Sequence, residues 1–391
     1  MSYMNPISTY IWPGQVHFGF GAVELAGQEA KTREALQVFV VGDPGVVAAG
    51  LLEPVIASLK AAGLAHVVYD RVKPNPAGES VEAAAQAYRE SEADLIIGVG
   101  GGSGLDTAKA VRLLADGAAR IAEYDLFLGP NVRPAPRQMP PLIAIPTTAG
   151  TGSEVTGWAV ITDSARKLKT SVGGAFLIPT VALIDPALML TLPAHLTAAT
   201  GMDALSHCIE AYVSTMERPV IDPVILYGIE LIGRSLRLAF AQGANHAARR
   251  DMALAALIGG MALNCKWGGA CHSLAHQLST FADVHHGVAN AMLLPHQMRY
   301  SMVGALEKYA RIGEALGMPQ TGSLSQRAER AVEAVHQLNL DLGLPTRLRD
   351  ANVTEAMIPA MAQNAYIDDS WATNPRAVSE AVMEQLYREA F

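Results

Sequence analysis

An α/β domain followed by an all-α domain is the architecture this sequence predicts, and three observations carry it. The first half alternates short β-type runs with helical stretches. A glycine-rich segment, Gly98-Val99-Gly100-Gly101-Gly102-Ser103-Gly104, follows one of those runs directly. From about Leu196 onward the strand-like runs give way to long Ala/Leu/Met-rich helical patterns. Alternation of strand and helix points to a parallel sheet covered on both faces. The change of texture falls near Leu192-Pro193-Ala194, which divides the chain into an α/β domain over 1–192 and a helical domain over 193–391. A ligand site is expected in the cleft between them.

Leu36-Gln37-Val38-Phe39-Val40-Val41 reads as a buried strand, ended by Gly42-Asp43-Pro44-Gly45. A helix over 46–62 follows, then a strand at Val67-Val68-Tyr69 and a helix over 81–91 whose apolar and Ala positions share one face. Asp94-Leu95-Ile96-Ile97-Gly98-Val99 and Pro141-Leu142-Ile143-Ala144-Ile145-Pro146 are the next strands, and Thr180-Val181-Ala182-Leu183-Ile184 the last. In the second half, 223–240, 247–264, 305–317 and 325–342 carry helical patterns.

A chain of 391 residues, 50% hydrophobic and 17% charged, has the length for two domains and the apolar content for a large interior. With 29 basic against 37 acidic residues and no basic stripe, nucleic acid is excluded as a partner. No apolar stretch approaches the ~20 residues of a membrane span. The segment 1–14 lacks the basic and apolar regions of a signal peptide. Cys208, Cys265 and Cys271 are too few and too scattered for a disulfide framework, so a reducing, cytoplasmic setting is expected.

The glycine-rich segment opens into a helix over 105–114, the arrangement in which a pyrophosphate binds. Small residues let the backbone approach phosphate, exposed N–H groups donate to it, and the helix N-terminus adds partial positive charge. The segment does not match Gly-x-Gly-x-x-Gly, because the last glycine would fall on Ser103. A second small, hydroxyl-rich loop, Pro146-Thr147-Thr148-Ala149-Gly150-Thr151-Gly152-Ser153-Glu154, follows the fourth strand at the ligand edge of such sheets.

In the helical half, Asp203 and His207 are four apart, as are His272 and His276, and His285-His286 stand before Gly287. On a helix the four-residue spacing places both side chains on one face, able to converge on one ion. Imidazoles with a carboxylate suit Fe2+ or Zn2+ rather than Mg2+ or Ca2+. Spacing alone does not choose which of these candidates bind.

Taken together, these segments resemble the iron-containing (group III) alcohol dehydrogenase family over nearly the whole chain. The resemblance is carried by Gly100-Gly101-Gly102-Ser103-Gly104-Leu105-Asp106-Thr107-Ala108-Lys109, by the Pro146–Glu154 loop, by Gly201-Met202-Asp203-Ala204-Leu205-Ser206-His207, by His272-Ser273-Leu274-Ala275-His276, and by His286-Gly287-Val288-Ala289-Asn290-Ala291. It implies a dehydroquinate-synthase-like fold, an α/β NAD-binding domain with a helical metal-binding domain. It puts the metal, Fe2+ with Zn2+ as the other possibility, on Asp203, His207, His272 and His286, and leaves His276 beside nicotinamide and substrate. It places Gly100, Gly101, Gly102 and Ser103 on the pyrophosphate and Thr147, Thr148 and Thr151 along the cofactor. Asp106 helps to hold the nicotinamide end, and Lys169 matches a lysine that reaches the cofactor ribose. Asp43 matches a position at the adenosine ribose. A carboxylate there accepts from a 2′-hydroxyl and repels a 2′-phosphate, so NAD is expected over NADP.

The chain departs from the family pattern in three places. Ser279 replaces a common glycine, His285 a common proline, and Lys266-Trp267 two residues that are usually small. Lys266 reads either as a solvated lysine at a helix end or as a partner for a substrate carboxylate. The second reading follows from a resemblance of this segment to 4-hydroxybutyrate dehydrogenases.

The activity implied is reversible hydride transfer between NAD(H) and a small primary alcohol or aldehyde, with His276 relaying the proton. A short ω-hydroxy-acid dehydrogenase and a dehydroquinate-synthase-like lyase are the other readings. The lyase should need several basic residues for a phosphorylated acid, and the motifs offer few. A homodimer or higher homo-oligomer is expected from the family.

Overall fold

The computed structural model describes residues 8–391. The signal-peptide reading falls partly on residues 1–7, which lie outside the described residues. Six strands, β1 (Gln15–Phe18), β2 (Gln37–Val41), β3 (Ala65–Tyr69), β4 (Leu95–Gly100), β5 (Leu142–Pro146) and, after the hairpin strands β6 (Trp158–Asp163) and β7 (Leu168–Gly173), β8 (Val181–Ile184), build the first half. The parallel sheet runs β1-β8-β5-β4-β2-β3, with β6 and β7 forming a separate antiparallel pair. Strands β4, β5 and β8 are buried throughout, as central strands of a doubly covered sheet must be. Helices α1 (Ala26–Thr32), α2 (Pro44–Ala48), α3 (Glu53–Ala61), α4 (Gly78–Glu90) and α5 (Gly102–Leu113) cover it. One apolar cluster, with Leu59, Val55 and Val99, fills one face; another, with Tyr88, Val81 and Ile96, fills the other.

Two expectations for this half are corrected. The single helix over 46–62 is two helices, because Gly50 turns the chain at φ +71° and Pro54 sits in the first turn of α3. The β6–β7 hairpin and the edge strand β1 were not anticipated. The hairpin obeys the two-residue period: Ala159, Ile161 and Val172 enter the core, while Trp158, Val160, Lys169 and Ser171 face a cavity.

The second half is helical: α6 (Ala194–Val213), α7 (Asp222–Ala241), α8 (His246–Lys266), α9 (Ala270–Ala282), α10 (His286–Ser301), α11 (Leu306–Ala315), α12 (Leu324–Asp341), α13 (Ile358–Ile367) and α14 (Glu380–Ala390). Helix α6 is buried from Thr197 to Val213, too apolar to lie on a surface. It packs against α7, α8 and α10 and is the axis of this half. Among the described residues, no helix is long and apolar enough to cross a membrane.

A candidate cofactor groove ending at a buried histidine–carboxylate cluster

Gly100 ends β4 at φ +154°, where a side chain is strained. Gly101 precedes α5 with no side-chain cap, so the first-turn N–H groups of that helix are not taken up by a capping side chain. The threonine loop passes close by. A Cβ on Gly102 would come within 2.7 Å of the Thr151 methyl, and one on Gly101 within 3.3 Å of Thr148 Oγ1. The small residues of the two loops let them approach each other at the carboxyl ends of β4 and β5, the edge where open α/β sheets bind ligands.

A groove of about 970 Å³ starts there, lined by Asp43, Gly101 to Gly104, Thr147, Thr148 and Thr151 on one side and by Leu196, Thr200 and His285 on the other. Asp43 caps α2, its Oδ1 accepting from Val46 N at 2.9 Å, while Oδ2 stands next to Gly100. The groove shares Gly102, Ser103, Thr151, Asp203 and His286 with an inner cavity of about 210 Å³, so the two are continuous.

The inner cavity is lined by Asp106, Lys169, Asp203, His207, His272, His276 and His286, among others. Asp106 Oδ1 accepts from Ser153 Oγ at 2.7 Å and Oδ2 from Val160 N at 3.0 Å. Burial raises its pKa, against the opposing pull of Lys109 and Ser153. Lys109 is fully buried and donates to Ser153 Oγ, Thr156 Oγ1 and the Trp158 carbonyl at 2.8, 3.0 and 2.6 Å. Lys169, on the cavity face of β7, donates to Asn75 Oδ1 at 2.6 Å. Burial pushes its ammonium down to about 8, with Asp106 and Asp283 working the other way.

At the inner end α6 supplies Asp203 and His207, α9 supplies His272 and α10 opens with His286. Ligand atoms of Asp203, His207 and His272 lie within 4.8 Å of one another. Asp203 Oδ1 is 3.8 Å from the Nε2 of His207 and of His272 and 3.4 Å from that of His286. The ring of His285 is used otherwise: its Nδ1 accepts from Gly287 N at 3.2 Å and caps α10.

This donor set suits a divalent cation. Burial drives His207 down to about 4 and His286 well below its ordinary value, which leaves both as neutral imidazole donors. Asp203 is held ionised, because the facing imidazoles outweigh its burial. Burial would lower His272 too, yet Glu210 and Asp203 raise it to about 10. The same two carboxylates neutralise a metal ion's charge equally well, and binding a metal displaces protons.

Two partners of this cluster have no forerunner in the sequence reading. Glu210 bonds His272 Nδ1 and also accepts from Cys271 N at 2.6 Å. A carboxylate in that position fixes the ring of a histidine and leaves its Nε2 free to face a metal ion. It lies three residues after His207 in a wholly buried helix, and an acidic residue within an apolar run was the available signal. Asp368 is bonded to His276 Nδ1 at 2.6 Å and to Ser370 N and Oγ at 3.0 and 2.6 Å. Ninety-two positions separate it from His276, and no local pattern announces that contact. Asn290, one turn into α10, donates to Asp203 Oδ1 at 2.8 Å and steadies that carboxylate.

Lys266 is placed elsewhere. It is fully buried, with Nζ 2.5 Å from Asp222 Oδ1, and it does not line the cavity. Neither reading of it holds: it is not solvated, and its charge is already matched, out of reach of a substrate carboxylate. Its neighbour Trp267 does line the cavity.

The comparisons fit this geometry. Residues 13–186 match the model of the iron-containing alcohol dehydrogenases, and residues 197–391 match that of the C-terminal part of the Fe-containing alcohol dehydrogenase family. The chain is 40% identical over 385 residues to 1,3-propanediol dehydrogenase of Citrobacter freundii, covering 98% of each. It belongs to the iron-containing alcohol dehydrogenase family. The NAD-dependent methanol dehydrogenase of Bacillus methanolicus is 37% identical over 382 residues, 97% of this chain and 99% of that one. A crystal structure of 1,3-propanediol oxidoreductase superposes with a TM-score of 0.94 at 38% identity, covering 99% of this chain and all of that one. This alcohol dehydrogenase is therefore an oxidoreductase whose family uses NAD(H) and Fe2+.

Proposed function

We propose that this enzyme interconverts a small primary alcohol or diol with its aldehyde, with NAD in the groove and Fe2+ on Asp203, His207, His272 and His286. Zn2+ suits the same donors. The observation that carries the reading is continuity: the groove that begins at the glycine loop ends at a buried carboxylate on which three imidazoles converge. Held by these residues, a metal would supply a Lewis acid for the substrate oxygen and would lower the alcohol's pKa, and NAD in the groove would supply the hydride acceptor.

The protein's own groups do the rest. Gly100, Gly101, Gly102 and Ser103 receive the pyrophosphate at the start of α5. Thr147, Thr148 and Thr151 line its path, Asp43 meets the adenosine ribose, and Lys169 and Asp106 stand at the nicotinamide end. The reaction releases one proton, and His276 carries it. Its Nδ1 is committed to Asp368, which fixes the tautomer and leaves Nε2 for the cavity side. Burial would raise the Asp368 carboxyl, but His276 and Ser370 hold it down, so it stays ionised behind the ring.

A neutral substrate is favoured over an ω-hydroxy acid of the 4-hydroxybutyrate type, because Lys266 is withdrawn and Lys169 is occupied at the cofactor end. The lyase reading is disfavoured for a related reason. A phosphorylated acid needs several cations, and Lys169 is the one lysine or arginine lining the cavity among the described residues. Three buried free cysteines favour a cytoplasmic setting, and family membership suggests a homodimer or higher homo-oligomer.

Anaerobic reconstitution with Fe2+, and separately with Zn2+, tests the reading across primary alcohols, diols and ω-hydroxy acids. Metal-dependent NADH formation, fastest with short alcohols or diols and weaker with NADP, is expected. Metal and NAD binding without turnover of any alcohol would overturn it.

A further inference from the structure

Trp267 follows the last residue of α8 with φ 66° and ψ 178°. That combination lies outside even the left-handed helical region and suits glycine alone. A tryptophan persists there only because its surroundings leave no alternative. Its N–H donates to the Leu263 carbonyl at 3.1 Å. The residue before it is pinned twice, by the Lys266–Asp222 ion pair at 2.5 Å and by Ser214 Oγ, which donates to the Lys266 carbonyl at 3.0 Å. The residue after it is held by Thr373 Oγ1 on the Gly268 carbonyl at 3.2 Å. The buried charge of Lys266 thus has a structural use: it braces the strained turn that delivers the indole.

The indole meets Trp158 of the β6–β7 hairpin edge to face, with ring centroids 4.6 Å apart at 82°. The pair spans the two halves of the molecule. With Leu263 and Val160 it forms an apolar part of the wall of a cavity that is elsewhere lined by the histidine–carboxylate cluster, Asp106 and Lys169. At about 210 Å³ that cavity falls below the ~300–1,000 Å³ of drug-sized ligand sites, before any cofactor enters it.

We propose that Trp267, braced on Trp158, is the specificity-determining residue that limits this enzyme to short alcohols and diols by closing the apolar end of the substrate cavity. The inference rests on the alcohol dehydrogenase reading and adds the residue that sets chain length.

The test is the ratio of kcat/KM for 1-hexanol to that for 1,3-propanediol in the metal-loaded enzyme, for wild type, Trp267→Gly and Trp267→Phe. Glycine suits the backbone at this position, so the variant is expected to fold. Its ratio should rise by roughly tenfold or more, the scale on which an apolar pocket discriminates by methylenes. Trp267→Phe should fall between the two. A second readout is the melting temperature of the NAD-loaded protein with 1-hexanol, which should rise for the glycine variant and not for wild type. A folded Trp267→Gly enzyme with the wild-type ratio and no stabilisation by hexanol would overturn the proposal. If the glycine variant does not fold, an unchanged ratio in Trp267→Phe does so. Should no protein turn over any alcohol, the dehydrogenase reading fails, and stabilisation by hexanol of the variant alone still identifies the wall.

Discussion

Glu154 is a carboxyl group with no favourable place for a charge. It is 3% exposed, at the end of the threonine loop, and burial raises it to about 7, against the opposing influence of a backbone hydrogen bond and of Lys109. Its ordinary value is 4.5, so between 4.5 and about 7 the folded protein binds more protons than the unfolded chain. Stability attributable to this group is therefore lost as pH rises through that window. At about 1.4 kcal/mol per unit, the swing is on the order of 3 kcal/mol. Replacing Glu154 with Gln removes the titration. The difference in melting temperature between variant and wild type should grow in the variant's favour from pH 4.5 to 7, and parallel curves would refute the assignment. In the sequence the residue closes the threonine-loop motif. Its burial was not legible, because that depends on α8 closing over the loop.

At the scale of elements, the contact between the threonine loop and α8 decides how the two halves fit. Gly152 has φ +63°, and a Cβ there would stand 2.5 Å from Gly260 Cα and 2.9 Å from the Ala256 carbonyl. These are backbone atoms, which cannot swing aside as a flexible side chain does. Gly152→Ala should lower stability by roughly 1–3 kcal/mol, combining overpacking with the loss of a glycine conformation. It should also shift Thr151 and raise KM for NAD. A variant with unchanged melting temperature and KM would show that this contact yields easily. The loop and helix α8 are each legible in the sequence, but their contact is not. The β6–β7 hairpin leaves no clear mark there, although its Trp158, Val160, Lys169 and Ser171 line the cavity. A six-residue strand with alternate burial is a weak local signal beside long helices and continuous apolar strands.

For the molecule as a whole, the proposed metal donors come from three helices whose remaining surfaces pack against other elements. Asp203 and His207 lie on α6, His272 on α9 and His286 on α10. An ion bound by all of them stabilises the folded protein and not the unfolded chain. At a free concentration about 100 times Kd, the gain should approach 2.7 kcal/mol. Fe2+ or Zn2+ should therefore raise the melting temperature by several degrees, and a chelator should reverse the effect. The shift should vanish in Asp203→Ala. An equal shift in that variant would place the ion elsewhere.

What the sequence determined by itself is what local pattern encodes. Continuous apolar runs marked central strands, a glycine cluster after one of them marked the candidate phosphate loop, and the spacing of Asp203 and His207 placed two candidate donors on one helix face. Tertiary structure decided which groups meet across long separations. It gave Asp368 to His276 and set Glu210 behind His272, and it turned Lys266 onto Asp222 instead of substrate. The physical reason is the same in each case. A buried charge must find a partner, but which partner depends on how helices pack, and packing is a property of the whole chain rather than of any window along it.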